Sequence, residues 1–150
     1  MHRILAAVDL SDSSQPVLQY SAELARAEHA SLAVVHAIPA VAPINAVAWN
    51  GGVSILASPE DEQTEVEFSL GLLHQIVEST GLSNVDCMCE RGLAAQTIHD
   101  AAQRLHADLI VLGSHGHGRF FHTMFGSVRE AVLSHAPCPV LVVPTAAKPS

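Results

Sequence analysis

The sequence predicts an α/β fold of one domain, a mostly parallel sheet with helices packed on both faces. Segments of strand character alternate with segments of helix character along the whole chain. The second strand segment, residues 31 to 37, is apolar almost throughout, as expected of a parallel strand covered on both faces. A chain of 150 residues, about half of them apolar, is also large enough to enclose one continuous core without staples.

Taken in order, the first strand is expected over residues 3 to 9, ending at Asp9. Ser11-Asp12-Ser13-Ser14-Gln15 then offers helix-capping side chains, and Pro16 is tolerated in a first turn because the N–H it lacks would be unpaired there. Val17, Leu18, Ala22, Leu24 and Ala25 give an amphipathic helix from Val17 to Ala27. A second strand is expected over residues 31 to 37. Ile38 to Ala57, with Pro39, Pro43, Gly51 and Gly52, has no clear period and reads as a long connection. Its Trp49 lies over a ligand or a second subunit on one reading, and in a partly packed surface loop on the other, which is favoured.

Ser58-Pro59-Glu60-Asp61 opens a helix with acidic residues in its first turn, favourable for the helix dipole, and Gly81 ends it near Thr80. Val85 to Glu90 is a third strand, Arg91-Gly92 a turn, and Ala94 to His106 a helix with Ile98, Ala101, Ala102 and Leu105 on one face. Asp108 to Leu112 is the fourth strand, Ser127 to His135 the last helix, and Val140 to Val143 the closing strand. Right-handed crossovers follow from this alternation. In such sheets, ligands bind beyond the carboxyl ends of the strands, where the strand order reverses.

Composition excludes several classes of function. The formal charge is −8, with acidic residues about twice as numerous as basic ones, so the clustered basic surface that nucleic acid or an anionic membrane requires is not expected. Cys87, Cys89 and Cys138 form an odd set without a disulfide framework, which points to a reducing compartment. Met1-His2-Arg3-Ile4 runs straight into a strand, unlike a secretory leader, and no segment has the length and apolarity of a membrane span. The cytoplasm is the expected location. His115 with His117, and Cys87 with Cys89, are spaced two apart, but neither pair supplies structural-zinc spacing and HExxH is missing, so no metal site is expected.

The richest stretch is Gly113-Ser114-His115-Gly116-His117-Gly118-Arg119-Phe120-Phe121-His122-Thr123-Met124-Phe125-Gly126, followed by Ser127-Val128. A strand, a glycine-rich loop and a helix start come in that order. Glycines let a backbone approach a ligand, and the opening amides of a helix lack internal partners and carry the positive end of its dipole. Phosphate can meet such amides without a lysine. Ser127 can serve as the N-cap or turn its hydroxyl to a phosphate oxygen. The plainer reading is a glycine-rich connection. No Walker loop is present, since the single lysine is Lys148, and no GxGxxG follows Asp9.

Gly113, two residues, Gly116, nine residues, then Gly126-Ser127 resembles the ATP-binding motif of the universal stress protein family. Ile4-Leu5-Ala6-Ala7-Val8-Asp9 with Ser11, Leu32-Ala33-Val34-Val35-His36-Ala37 and His135-Ala136-Pro137-Cys138-Pro139-Val140-Leu141-Val142-Val143-Pro144 are similar to the family's first, second and closing strands. The resemblance implies a Rossmann-like three-layer sandwich, of the adenine nucleotide alpha hydrolase-like kind, with a five-stranded parallel sheet of order 3-2-1-4-5. Asp9 and Gly113 then face one crevice.

It further implies that Ala7, Val8 and Asp9 lie against adenosine, with Asp9 accepting from ribose hydroxyls, and that Ala37 meets adenine through its backbone. Leu112 and Gly113 line the nucleoside side, while Gly116, Gly126, Ser127 and Val128 surround the phosphates. Ser114, His115, His117 and Arg119 complete the loop. Asp9 is alternatively a turn residue or helix cap. Where many members have a basic residue directly after the second glycine, this chain has His117-Gly118-Arg119, leaving one pH-dependent and one permanent charge. Phe120, Phe121, Met124 and Phe125 are core or lid-packing residues.

The function implied is a binding module in which ATP, ADP or AMP, with Mg²⁺ held mainly by phosphates and water, orders the loop and changes how the protein meets a partner protein. The alternatives are a slow ATP hydrolase in the same pocket and an interaction domain that uses no nucleotide. Family members join closing strands across a two-fold axis, so a homodimer through Val140, Leu141, Val142 and Val143 is implied. The alternative is an edge covered by the tail from Thr145 to Ser150.

Overall fold

The computed structural model describes residues 1–39, 59–114 and 124–145. They form β1 (Arg3–Ala7), α1 (Ser14–Glu28), β2 (Ser31–Ile38), α2 (Pro59–Ser79), β3 (Asp86–Arg91), α3 (Ala94–Arg104), β4 (Leu109–Gly113), α4 (Met124–His135) and β5 (Val140–Val143). The sheet has the order β3-β2-β1-β4-β5 and every pairing is parallel. The order reverses between β1 and β4, where Ile4 pairs with Leu109 and Ala6 with Val111. The expected 3-2-1-4-5 sandwich is what the chain forms.

Period-two alternation sorts the strand residues between two cores. Ile4, Ala6, Leu32, Val34, Leu109 and Val111 pack with Val17 and Leu18 of α1 and Leu73 of α2. Leu5, Ala7, Ala33, Val35, Ile110 and Leu112 pack with Ile98 and Ala101 of α3 and Val132 of α4. Both faces are covered over β1, β2 and β4, which is why those strands read as nearly unbroken apolar runs. Ile4, Leu5 and Ile110 are fully enclosed, and each such side chain contributes about 1.5–3 kcal/mol through burial.

Helix ends follow local chemistry. α2 stops short of Gly81, whose φ of +73° is the left-handed conformation expected of a terminating glycine. α1 ends on His29 at φ 53°, whose N–H reaches the Ala25 and Arg26 carbonyls. Buried His99 of α3 donates from Nε2 to the Val132 carbonyl at 3.0 Å. Val132 lies in the last turn of α4, where carbonyls have no helical partner, so His99 caps α4 and ties it to α3.

Several boundaries differ from expectation. β1 ends at Ala7, two residues before Asp9, because Asp9 turns the chain away through its own side chain. α1 begins at Ser14, not Val17, and α3 stops at Arg104, before His106, which takes a φ of 50°. α4 begins at Met124 rather than Ser127. Gly126 therefore lies within the first helical turn, where its missing side chain costs at most about 1 kcal/mol relative to alanine. Ser127 is inside the helix and does not occupy the N-cap. Trp49, Phe120 and Phe121 lie outside the described residues.

Candidate nucleotide site

The crevice begins where β1 leaves the sheet. The Val8 N–H donates to the Val35 carbonyl at 3.0 Å, the last tie of that strand to β2. One oxygen of Asp9, Oδ1, then accepts the Ser11 amide at 3.0 Å, which is an Asx turn, and Leu10 adopts a φ of 62°. The same oxygen accepts the Ser11 hydroxyl, the Ser14 hydroxyl at 3.3 Å and, at the limit of reach, the Ser13 hydroxyl at 3.5 Å. The serines thus converge on Asp9 instead of capping α1, and Ser13 at the N-cap position makes no capping bond. Among the described residues, none of these donors uses Oδ2. Asp9 is a turn residue with one oxygen and keeps the other as an acceptor.

His36 fixes this turn to β2. Its Nδ1 lies 2.9 Å from the Val8 carbonyl, which can only accept, so Nδ1 carries the proton and Nε2 of the neutral ring is an acceptor. Burial pushes the imidazole below its ordinary pKa, against the opposing pulls of the Val8 carbonyl and the Asp9 charge. Val8 is therefore held to β2 at both of its backbone groups, its N–H by the Val35 carbonyl and its carbonyl by the His36 side chain. Ala37, the next residue on β2, is half-buried at the same carboxyl edge.

β4 supplies the opposite wall. Leu112 and Gly113 are buried, and a Cβ on Gly113 would sit 3.2 Å from Thr145 Cγ2 and 3.3 Å from Val17 Cγ2. Those are contacts tighter than side chains normally make, so a side chain here would have to push Thr145 and Val17 aside. Ser114 follows. Its N–H donates to the Val143 carbonyl at 2.8 Å, its Oγ accepts the Thr145 N–H at 2.9 Å, and its carbonyl accepts Nη1 of Arg129 at 2.6 Å. Across the loop, Val128 packs onto the α3/α4 core, and Gly126 and Ser127 lie in the first turn of α4, among the amides that have no acceptor within the helix. His115, Gly116, His117 and Arg119 lie outside the described residues.

Ala7, Val8, Asp9, Ala37, Leu112, Gly113 and Ser114 share one edge of the sheet, at the switch between β1 and β4. The cysteines are elsewhere. Cys87 and Cys89 face the α1/α2 core from one side of β3, and burial raises both thiols, Cys89 to about 11, so they are protonated at neutral pH. Cys138 is raised for the same reason. Among the described residues no three His, Cys, Asp or Glu side chains gather as metal ligands.

Sequence reasoning missed three contributors, His36, Arg129 and Thr145. His36 was legible as a polar residue ending an apolar strand. Arg129 and Thr145 gave no signal, since their roles depend on Ser114, 15 and 31 residues away.

An open parallel sheet of order β3-β2-β1-β4-β5, with Asp9 and Gly113 at the switch between β1 and β4, is a doubly wound α/β architecture. Residues 1–144 match the family model described as the universal stress protein family, and the chain belongs to that family. Universal stress protein A homolog 1 of Coxiella burnetii is 34% identical over 140 residues, covering 93% of this chain and 94% of that protein. The universal stress protein from Archaeoglobus fulgidus in complex with dAMP is 26% identical, with a TM-score of 0.62, over 95% of this chain and 97% of that one. A universal stress protein solved in complex with cAMP shares the fold, with a TM-score of 0.65 over 97% of this chain and 98% of that one at 21% identity.

Proposed function

We propose that this protein is an adenine-nucleotide-binding module of the stress response, taking ATP, ADP or AMP at the β1/β4 switch. The observation that carries this reading is the division of labour within Asp9. Its own turn occupies Oδ1 and so aims the carboxylate, while Oδ2 stays an acceptor for ribose hydroxyls at an edge walled by buried Gly113. Ala7, Val8, Ala37 and Leu112 line the nucleoside, and Gly116, Gly126, Ser127 and Val128 surround the phosphates with main-chain amides, joined by His115, His117 and Arg119. The dAMP bound by the Archaeoglobus fulgidus relative supports this ligand class.

Mg²⁺ accompanies ATP, held mainly by phosphate oxygens and water. Nucleotide binding orders the loop and alters the meeting with a protein partner in the cytoplasm. The protein acts as a homodimer joined through Val140, Leu141, Val142 and Val143, since β5 is an edge strand and such edges are normally paired or covered. No helix among the described residues is long and apolar enough to cross a membrane.

Calorimetry with adenosine, AMP, dAMP and ATP, with and without Mg²⁺, tests the reading. Saturable heat from the adenine series, and none from the matching pyrimidine nucleotides, is the expected outcome. No heat from any adenine ligand across neutral and mildly acidic buffers would end it.

A further inference from the structure

Three segments of the chain meet at Ser114. β5 accepts its N–H through Val143, the Thr145 amide donates to its hydroxyl, and the Arg129 guanidinium donates to its carbonyl. Arg129 stands on α4 just beyond Gly126 and Ser127, on the far side of the glycine-rich loop from Ser114. At 2.6 Å, the Arg129 bond is a short, charge-assisted one between a permanent cation and a peptide carbonyl, and it joins the two ends of that loop directly. The nucleoside end of the crevice has separate supports: the serines around Asp9, and His36 on Val8. The molecule thus holds its two half-sites by independent sets of bonds.

We propose that Arg129 is a positioning residue for phosphate: by gripping the Ser114 carbonyl from α4 it fixes the opening amides of that helix relative to the end of β4. This rests on the nucleotide-binding reading above. Arginine suits the place because its guanidinium stays charged and presents fixed, planar donors, whereas a lysine offers one flexible point charge. Its action on phosphate passes through Ser114 and the α4 backbone, so each phosphate-bearing ligand should feel it alike.

The test is calorimetry of Arg129→Met and Arg129→Lys with adenosine, AMP, ADP and ATP, alongside amide exchange of the nucleotide-free proteins. Arg129→Met should weaken AMP, ADP and ATP by one common factor of about tenfold. Adenosine affinity should stay within about twofold, and Arg129→Lys, which keeps one donor, should recover most of the loss. Exchange at Ser114, whose N–H is bonded to the Val143 carbonyl, and at Val128 and Glu130, α4 amides with helical acceptors, should quicken in Arg129→Met while the β1 and β2 amides are unchanged.

A loss that grows from AMP to ATP would overturn the proposal in favour of direct phosphate contact. An equal loss for adenosine, or unchanged phosphate affinity, would overturn it as well. Should wild-type protein bind no adenine ligand, the functional reading fails, and the exchange experiment still decides the clasp: unchanged exchange at Ser114 and the α4 amides overturns it.

Discussion

Asp9 and Asp108 sit at opposite ends of the sheet, and each gathers its hydrogen bonds on a single oxygen. Asp108, just before β4, accepts the His2 N–H at 2.6 Å and the Arg3 N–H at 2.8 Å, partners 106 and 105 residues away. Its own N–H returns to the Arg3 carbonyl at 2.8 Å. Among the described residues, the hydrogen-bond partners of Asp9 lie within the next five residues. The distant pairing zips β1 to β4 and so contributes to the fold. The local one adds little long-range order, but it orients a carboxylate at the β1/β4 switch. The Asp108 ties thus belong to the fold, while the proposed reading puts recognition at the carboxyl end.

The sharpest test of that division is Asp9→Ala. A hydrogen bond to a charged group is worth about 1.5–3 kcal/mol, so adenosine and AMP affinity should fall by about 10- to 100-fold by calorimetry. The melting temperature should fall modestly, since buried Ser13 and Ser14 lose an acceptor while the strand pairing is untouched. A large drop in melting temperature with affinity preserved would show that Asp9 is only a turn residue.

Asp108→Asn should give the opposite pattern, with a smaller effect. The His2 and Arg3 amides hold the Asp108 carboxyl below its ordinary pKa. A depressed carboxylate stabilises the fold above the ordinary carboxylate range, and this contribution is lost as pH falls through the folded value. Thermal melts should show the variant less stable than wild type at neutral pH and convergent with it in strong acid. Nucleotide affinity should be unchanged. A gap that persists in acid would mean that Asp108 acts through packing and not through its charge.

The same contrast explains what the sequence disclosed. Strand positions were legible because short apolar runs, helix stops such as Gly81 and the strand–loop–helix order are written in adjacent residues, whereas the sheet order and the shared edge of Asp9 and Gly113 came from the family resemblance. The reason for Gly113 was only half legible. A glycine ending a strand reads as room for a ligand, yet here Val17 and Thr145 press on the space a Cβ would need. The serines after Asp9 read as helix caps, because capping and Asx turns use the same residue types. Only the carboxylate's position decides between them. Gly126 read as a boundary although α4 begins before it. Arg129 and Thr145 were invisible, since nothing local marks a residue whose partner is brought in by a parallel crossover.

The finest test concerns the link between Asp9 and β2. His36 bonds the Val8 carbonyl, is depressed by burial and is raised in part by the Asp9 charge. Replacing that charge in Asp9→Asn removes one of the raising influences, so the folded His36 should titrate at lower pH still. Because its neutral form is the favoured one, the stability it contributes is complete above the ordinary imidazole range and is lost as pH falls through the folded value. A lower folded value widens the gap from the unfolded chain, so the variant should lose stability more steeply on the acid side. Histidine ring resonances followed by NMR through mildly acidic pH read the shift directly. If His36 titrates identically in both proteins, the carboxylate and the imidazole are not electrostatically one unit, and the turn that aims Asp9 is held by backbone geometry alone.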